Sequence, residues 1–240
     1  MTFIRNMFMV FDSLAGDYPS LLKRNHFENC FLRQFFHKDG HYVRVMNPLH
    51  YVITDDEPLK PHFKDVNLTR QMSLPSIHPE SPVAKLTNHE IYRNENSFPV
   101  TTEVKKCDRI KLPQVHTCVE IDASLGPLQY NFDSRGRSLV LAFAIALGQA
   151  RLNYGPEVSG VLKQPITVNF VSTNGQDFLV TVFQLNTLDL KGEVKNLACQ
   201  DQLGNLFESC DYAKAVPQVV GYNHEVVKRL LTIYIQNNRV

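Results

Sequence analysis

The strongest apolar patterning lies in the last third of the chain. Leu139-Val-Leu-Ala-Phe-Ala-Ile-Ala-Leu147 is apolar on every side. A helix of that kind is enclosed by neighbours rather than laid on a surface. The pattern predicts a helix over about 136–154, started by Ser134 or Ser138 and stopped by Gly155-Pro156. Two β-rich runs, 166–171 and 178–185, then flank the turn pair Asn174-Gly175. Runs 195–199 and 205–210 read as two more strands. Asn223 caps a terminal helix reaching about Gln236, with Val226, Val227, Leu230, Ile233 and Tyr234 on its inner face.

At the other end, Phe3, Met7, Val10, Phe11 and Leu14 share one helical face, the mark of a buried amphipathic helix. A short capped helix is expected over 21–27. Runs 31–36 and 42–46 around Asp39-Gly40 predict a hairpin. Between these patterned ends, proline dominates. Nine of the 13 prolines fall between Pro48 and Pro127, which predicts an extended, turn-rich span with few long helices. The expected architecture is α+β. A central apolar helix and a C-terminal helix pack on a small antiparallel sheet, with a second small hairpin near the N-terminus. The proline-rich middle wraps outside. Sections 1–50, 51–130 and 131–240 are expected to form one composite domain.

Composition narrows the function. The chain has 240 residues, 43% of them apolar and 20% charged, the balance of an ordinary folded protein. A net charge of +1 argues against finding nucleic acid by bulk charge, and leaves docking through local patches. No apolar run approaches the roughly 20 residues of a membrane span. Arg5 and Asn6 interrupt the first apolar stretch, so a secretory leader is not evident, and neither is an Arg- and Ser-rich presequence. Five cysteines with no Cys-x-x-Cys pair fit a reducing compartment, cytosol or mitochondrial matrix.

Catalytic motifs are mostly missing. Gly155 and Gly160 have P-loop spacing, but Val161-Leu162 stands where Lys-Ser/Thr must hold phosphate and Mg²⁺. Ser20-Leu-Leu-Lys23 matches a Ser-x-x-Lys pattern without its companion motifs. A metal-dependent nuclease would need hard oxygen ligands. Asp177 offers one, but the next strand supplies only the amides Gln184 and Asn186, better suited to satisfying backbone groups. The nine histidines are scattered, so neither a metal nor a cofactor is expected.

Cationic patches remain. Lys23, Arg24, Arg33, Lys38 and Arg44 interleave with Phe27, Phe31, Phe35, Phe36 and Tyr42. Cations there can meet phosphates while an exposed ring stacks on a base; the competing reading puts the rings in a core and the cations in water. Lys105, Lys106, Arg109 and Lys111 form a second patch, diluted by Glu103 and Asp108. Arg135 and Arg137 form a third at a helix start, where they oppose the dipole and an anion such as phosphate would offset them.

Longer blocks carry a family resemblance. Residues 139–155 (LVLAFAIALGQARLNYG) are followed by Gln164-Pro165, Thr173-Asn-Gly175, Phe183-Gln-Leu-Asn-Thr187 and Val194-Lys-Asn-Leu-Ala198. Weaker echoes are Tyr18-Pro-Ser-Leu-Leu-Lys-Arg24, Pro79-Glu-Ser-Pro82 and His89-Glu-Ile-Tyr92. In order and wording the series resembles the animal mitochondrial large-ribosomal-subunit protein family numbered thirty-seven. Its paralogue, the mitoribosomal protein also called programmed cell death protein nine, shares the Phe-Gln-Leu-Asn-Thr block. Cys199 stands where that family often has Trp. The resemblance implies a non-enzymatic structural constituent of the mitochondrial large subunit, serving mitochondrial translation. It implies mitochondrial rRNA and other large-subunit proteins as partners, among them the paralogous mitoribosomal protein. The rRNA-contact candidates are Lys23, Arg24, Arg33, Arg44, Lys105, Lys106, Arg135 and Arg137. The alternatives are a nuclease-like domain without activity and a free protein-binding module.

Overall fold

A two-residue turn starts the sheet. Strands β1 (Asn25–Lys38) and β2 (His41–Asp55) meet at Asp39-Gly40, whose φ values of +50° and +81° are both left-handed. Tight hairpins prefer that pair of conformations, because it matches the twist of the flanking strands. A second turn sits between β4 (Val161–Thr173) and β5 (Asp177–Thr187). There the Asn174 side chain accepts hydrogen bonds from the backbone N–H groups of Gln176 (3.0 Å) and Asp177 (2.8 Å), and Gly175 takes φ +97°. This computed structural model describes residues 2–74, 113–121, 132–213 and 216–237.

Both hairpins belong to one six-stranded sheet, ordered β1-β2-β3-β4-β5-β6, with β3 at Gln114–Ile121 and β6 at Leu197–Asn205. The fold is α+β, as expected, but the sheet is larger than expected and mixed. β3 runs antiparallel to β2 and parallel to β4. Parallel neighbours need a long crossover. Helix α2 (Phe132–Tyr154) lies in the stretch of chain between them. It packs on β1 through β5, and its residues Val140 to Leu147 are all buried. Helix α2 starts upstream of both proposed caps. The Ser138 hydroxyl instead donates to the Ser134 carbonyl one turn back (2.8 Å) and meets the Ser172 hydroxyl at 2.9 Å.

The opposite face of the sheet carries α1 (Thr2–Asp12) and α3 (His224–Tyr234), making a third layer. In α1 the buried face is Ile4, Met7, Phe8 and Phe11, whereas Phe3 and Val10 are exposed. The burial stripe is thus rotated from the expected one, because Phe8 stacks on Tyr51 of β2 (centroids 5.5 Å apart). Residues 19–23 form a 3₁₀ turn and β1 begins at Asn25, in place of the helix expected over 21–27. Helix α3 keeps its expected cap, with Asn223 Oδ1 accepting from Glu225 N at 3.0 Å, and buries Val226, Leu230 and Tyr234. A small ribbon, β7 (Ser209–Ala213) with β8 (Val216–Val220), precedes it.

The proline-rich middle divides in two among the described residues. Residues 56–74 run outside the sheet, clasped at Phe63 by Gln184 and tied by Arg70 to Glu193 at 2.8 Å. Residues 114–121 form a buried central strand instead of a wrapping segment.

Candidate nucleic-acid interface

The long β1–β2 hairpin changes the direction of its side chains midway. Asn29 adopts φ +55°, between the pairs Glu28–Tyr51 and Cys30–Leu49. Beyond that point Cys30, Leu32 and Phe36 of β1, with Val43, Val45 and Leu49 of β2, face α2. Phe36 meets Phe143 edge-on at 4.9 Å. Alternation sends the intervening residues to the other face. The facing pairs there are Phe31 and Pro48, Arg33 and Met46, Phe35 and Arg44, and His37 and Tyr42. Tyr42 is 70% exposed and Phe31 40%. The Arg33 guanidinium carbon lies 5.6 Å from the Phe31 ring centroid, a cation–π contact. The rings therefore divide: Phe36 joins the core, while Phe31 and Tyr42 stay outside with the arginines.

The other candidate cations lie apart from this face. Lys23 is exposed at the end of the 3₁₀ turn, and Arg135 is exposed on the first turns of α2. Lys105 and Lys106 lie outside the described residues. The Arg137 guanidinium turns inward to buried Glu120, donating at 2.6 Å and 3.1 Å to Oε1 and at 2.6 Å to Asn47 Oδ1. Asn47 in turn donates to the same Glu120 oxygen at 2.9 Å. The anion that offsets Arg137 thus comes from within the fold. A lone acid in the β-branched run Val115–Ile121 was the available signal for it.

Arg24 is fully enclosed. Its guanidinium meets Asp55 at 3.2 Å, donates to the Tyr234 carbonyl and, at 3.4 Å, to the Gln236 carbonyl, and lies 4.4 Å over the Tyr234 ring. It therefore caps carbonyls at the C-terminus of α3, where a cation also suits the helix dipole. Below it sits His116, put there by a β-bulge. The register between β2 and β3 slips between Ile53 and Thr54, leaving His116 as the extra residue. Its ring and the adjacent Thr117 hydroxyl consequently point the same way, 2.8 Å apart. A guanidinium only donates, so His116 Nε2, 3.0 Å from Arg24 Nη2, accepts, and Nδ1–H donates to Thr117. At the near edge of this cluster, Tyr234 donates to Asp12, and His26 bridges Tyr51 (2.8 Å) and Asp12 (3.3 Å).

These contacts fix a pH dependence. Burial, and after it the Arg24 charge, hold the His116 pKa well below its ordinary 6.5. Burial also lowers that of His26, against the pull of Asp12 and with help from Arg24. The folded-state values lie below the unfolded one, so in that window the unfolded chain binds more protons. Stability is complete above pH 6.5 and falls as pH drops below it, by at most about 1.4 kcal/mol per pH unit from each ring. Urea unfolding at about pH 7.5 and 5.5 measures the loss. His116→Gln keeps an acceptor for Arg24 but cannot titrate, and is expected to shrink that loss. An undiminished loss in the variant would place the titration elsewhere.

The hairpin amides behave structurally. Gln184 accepts from Phe63 N at 3.0 Å, donates to Phe63 O at 2.8 Å and reaches Asn186 Oδ1 at 2.8 Å. Asn186 donates to the Lys195 carbonyl at 2.7 Å. Asp177 is buried at the start of β5, where Asn174 reaches its Oδ2 at 3.4 Å. Among the described residues no group of three or more His, Cys, Asp or Glu is placed to hold a metal, and no helix is long and apolar enough to cross a membrane.

Residues 133–238 match the family described as Mitochondrial 28S ribosomal protein S30 (PDCD9). The chain is 30% identical over 246 residues to the Rattus norvegicus protein named Large ribosomal subunit protein mL37, covering 97% of this chain and 56% of that protein. The Mus musculus protein of the same name is 30% identical over 234 residues, covering 91% of this chain and 53% of that one. The Gallus gallus protein is 29% identical over 240 residues, covering 93% and 54%. The chain spans about half the length of the curated relatives it matches. The resemblance carried by the sequence blocks is borne out: this chain is a homologue of those proteins over nearly its whole length.

Proposed function

We propose that this chain is a structural constituent of the mitochondrial large ribosomal subunit and serves mitochondrial translation without catalysing a reaction. The similarity to proteins named for that subunit, sustained over nearly the whole chain, carries the reading. Its partners are mitochondrial rRNA and other large-subunit proteins, among them the paralogous mitoribosomal protein, and its place is the mitochondrial matrix. The sections 1–50, 51–130 and 131–240 act as one composite domain, a reading supported by a sheet whose strands come from all of them. Lys23, Arg33, Arg44 and Arg135 are the contacts toward rRNA, joined by Lys105 and Lys106. Arg24 and Arg137 act one step removed, by holding the elements that present those contacts.

Affinity capture of the native chain from purified mitochondria tests the proposal. Large-subunit proteins and large-subunit rRNA are expected together in the eluate. A chain found only in the cytosol, with no ribosomal RNA bound, would contradict it.

A further inference from the structure

The six-stranded sheet has two edges, and only one of them is protected. Strand β1 is irregular at Asn29, where φ is +55°, and carries the cations Arg33 and Lys38. Kinks and charges of that kind keep a foreign strand from pairing with an edge. At the opposite edge, residues 197–202 of β6 bond β5 on one side, and no described backbone group bonds them on the other. This run, Leu197-Ala-Cys-Gln-Asp-Gln202, holds no lysine, proline or bulge. Its one charge is Asp201, which Arg229 of α3 meets at 3.3 Å. Ala198 and Cys199 are neighbours and so lie on opposite faces of the strand. Both are exposed, so neither face of the edge is covered there. Both are also small, which lets another backbone approach to the usual strand spacing of about 4.8 Å. The run has defined ends. Asn196 precedes it and accepts from Asn186 N at 2.8 Å and Thr187 N at 2.9 Å. Leu203 follows it as the extra residue where the register with β5 slips.

A bare row of alternating N–H and C=O groups is complementary to another extended polypeptide. RNA has no amide row to match it and would bring phosphates to Asp201. A second copy pairing β6 with β6 would meet through this short run, against the roughly 20–30 residues a side of a stable free dimer. A segment of another protein in the same assembly meets the edge at high effective concentration and needs no such area.

We propose that residues 197–202 receive an extended segment of a partner protein as an added strand, paired main chain to main chain, with uncharged side chains opposite Ala198 and Cys199. The inference rests on the ribosomal reading above and deepens it, by assigning a protein contact to this edge.

The test uses the full chain expressed in cells with a photo-reactive residue on the edge, Cys199→benzoylphenylalanine in one sample and Asp201→benzoylphenylalanine in another. After irradiation the cross-linked peptides are sequenced. Both positions are expected to capture one segment of one protein, at sites about two residues apart, the offset that a paired strand imposes. Cys199→Ser is expected to leave cross-linking from position 201 unchanged, because main chain is recognised there. Of Ala198→Pro and Cys199→Pro, strand alternation makes one lose an N–H bonded to β5 and the other an N–H facing outward. The second is expected to melt close to the unaltered chain, yet to lower cross-linking from position 201 at least about tenfold, since proline removes a donor and leaves the partner's carbonyl unpaired. Should both proline variants melt lower, amide exchange over 197–202 decides. It is expected to be at least about tenfold slower in the assembly than in the free chain, and equal rates would overturn the inference. Cross-links to RNA or to a second copy of this chain, captures without the two-residue offset, or cross-linking untouched by the outward proline would overturn it too. The ribosomal reading fails separately. Strand-type cross-links from a chain that does not sediment with the large subunit sink that reading alone. A chain within the subunit that gives no such cross-links sinks the inference alone.

Discussion

Arg24→Ala is expected to destabilise the fold by about 3–5 kcal/mol, the range seen when one partner of a buried ion pair is removed. The loss is large because several groups lose a donor at once. Asp55 would keep its charge with its cation gone. The Tyr234 and Gln236 carbonyls at the end of α3 would be buried without that donor. The Tyr234 ring would lose the cation above it. Domains are stable by roughly 5–15 kcal/mol, so a loss of this size is readily measured. Urea unfolding with a matched m-value is the measurement. Because Arg24 is enclosed, adding salt should change the difference little. A loss below about 1 kcal/mol, or one abolished by salt, would mean that the guanidinium faces water.

Phe170→Ala is expected to cost a similar amount, about 3–5 kcal/mol, through a different mechanism. Phe170 is fully buried on β4, in the core that α2 shares with the sheet. Truncation removes transfer energy and leaves a cavity that neighbours on rigid strands cannot fill. β4 lies near the middle of the sheet, held on both sides by β3 and β5, so backbone relaxation toward the gap is restricted. Phe170→Leu retains most of the volume and should cost clearly less. Equal losses for the alanine and leucine variants in urea unfolding would show that shape rather than cavity volume decides the effect.

How far the sequence predicted this molecule depends on which forces act locally. Asp39, Gly40 and Gly175 take backbone conformations that few residues adopt, Asn174 holds its turn through its side chain, and both hairpins are legible. Asn223 announced the start of α3 through its own side chain. The β3–α2–β4 crossover was not legible, since its parallel pairing joins residues about fifty positions apart across a proline-rich span. Helix α1 was legible as amphipathic, but its buried face was set by Tyr51, a partner forty residues away. The cations divided for the same reason. The register set by the Asp39-Gly40 turn puts Arg33 of β1 and Arg44 of β2 on one face. Arg24 and Arg137 found Asp55 and Glu120 only through tertiary packing. His116 is one of nine scattered histidines in the sequence; the bulge that aims it at Arg24 has no local signal in its neighbours.

The central claim is membership of the mitochondrial large subunit. Gradient sedimentation of a mitochondrial lysate, immunoblotted for the native chain, tests it most directly, with and without EDTA to separate the subunits. The chain is expected to migrate with the large subunit and to stay with it after EDTA. A chain that remains at the top of the gradient in both conditions, or that moves with the small subunit once the two part, would contradict the account.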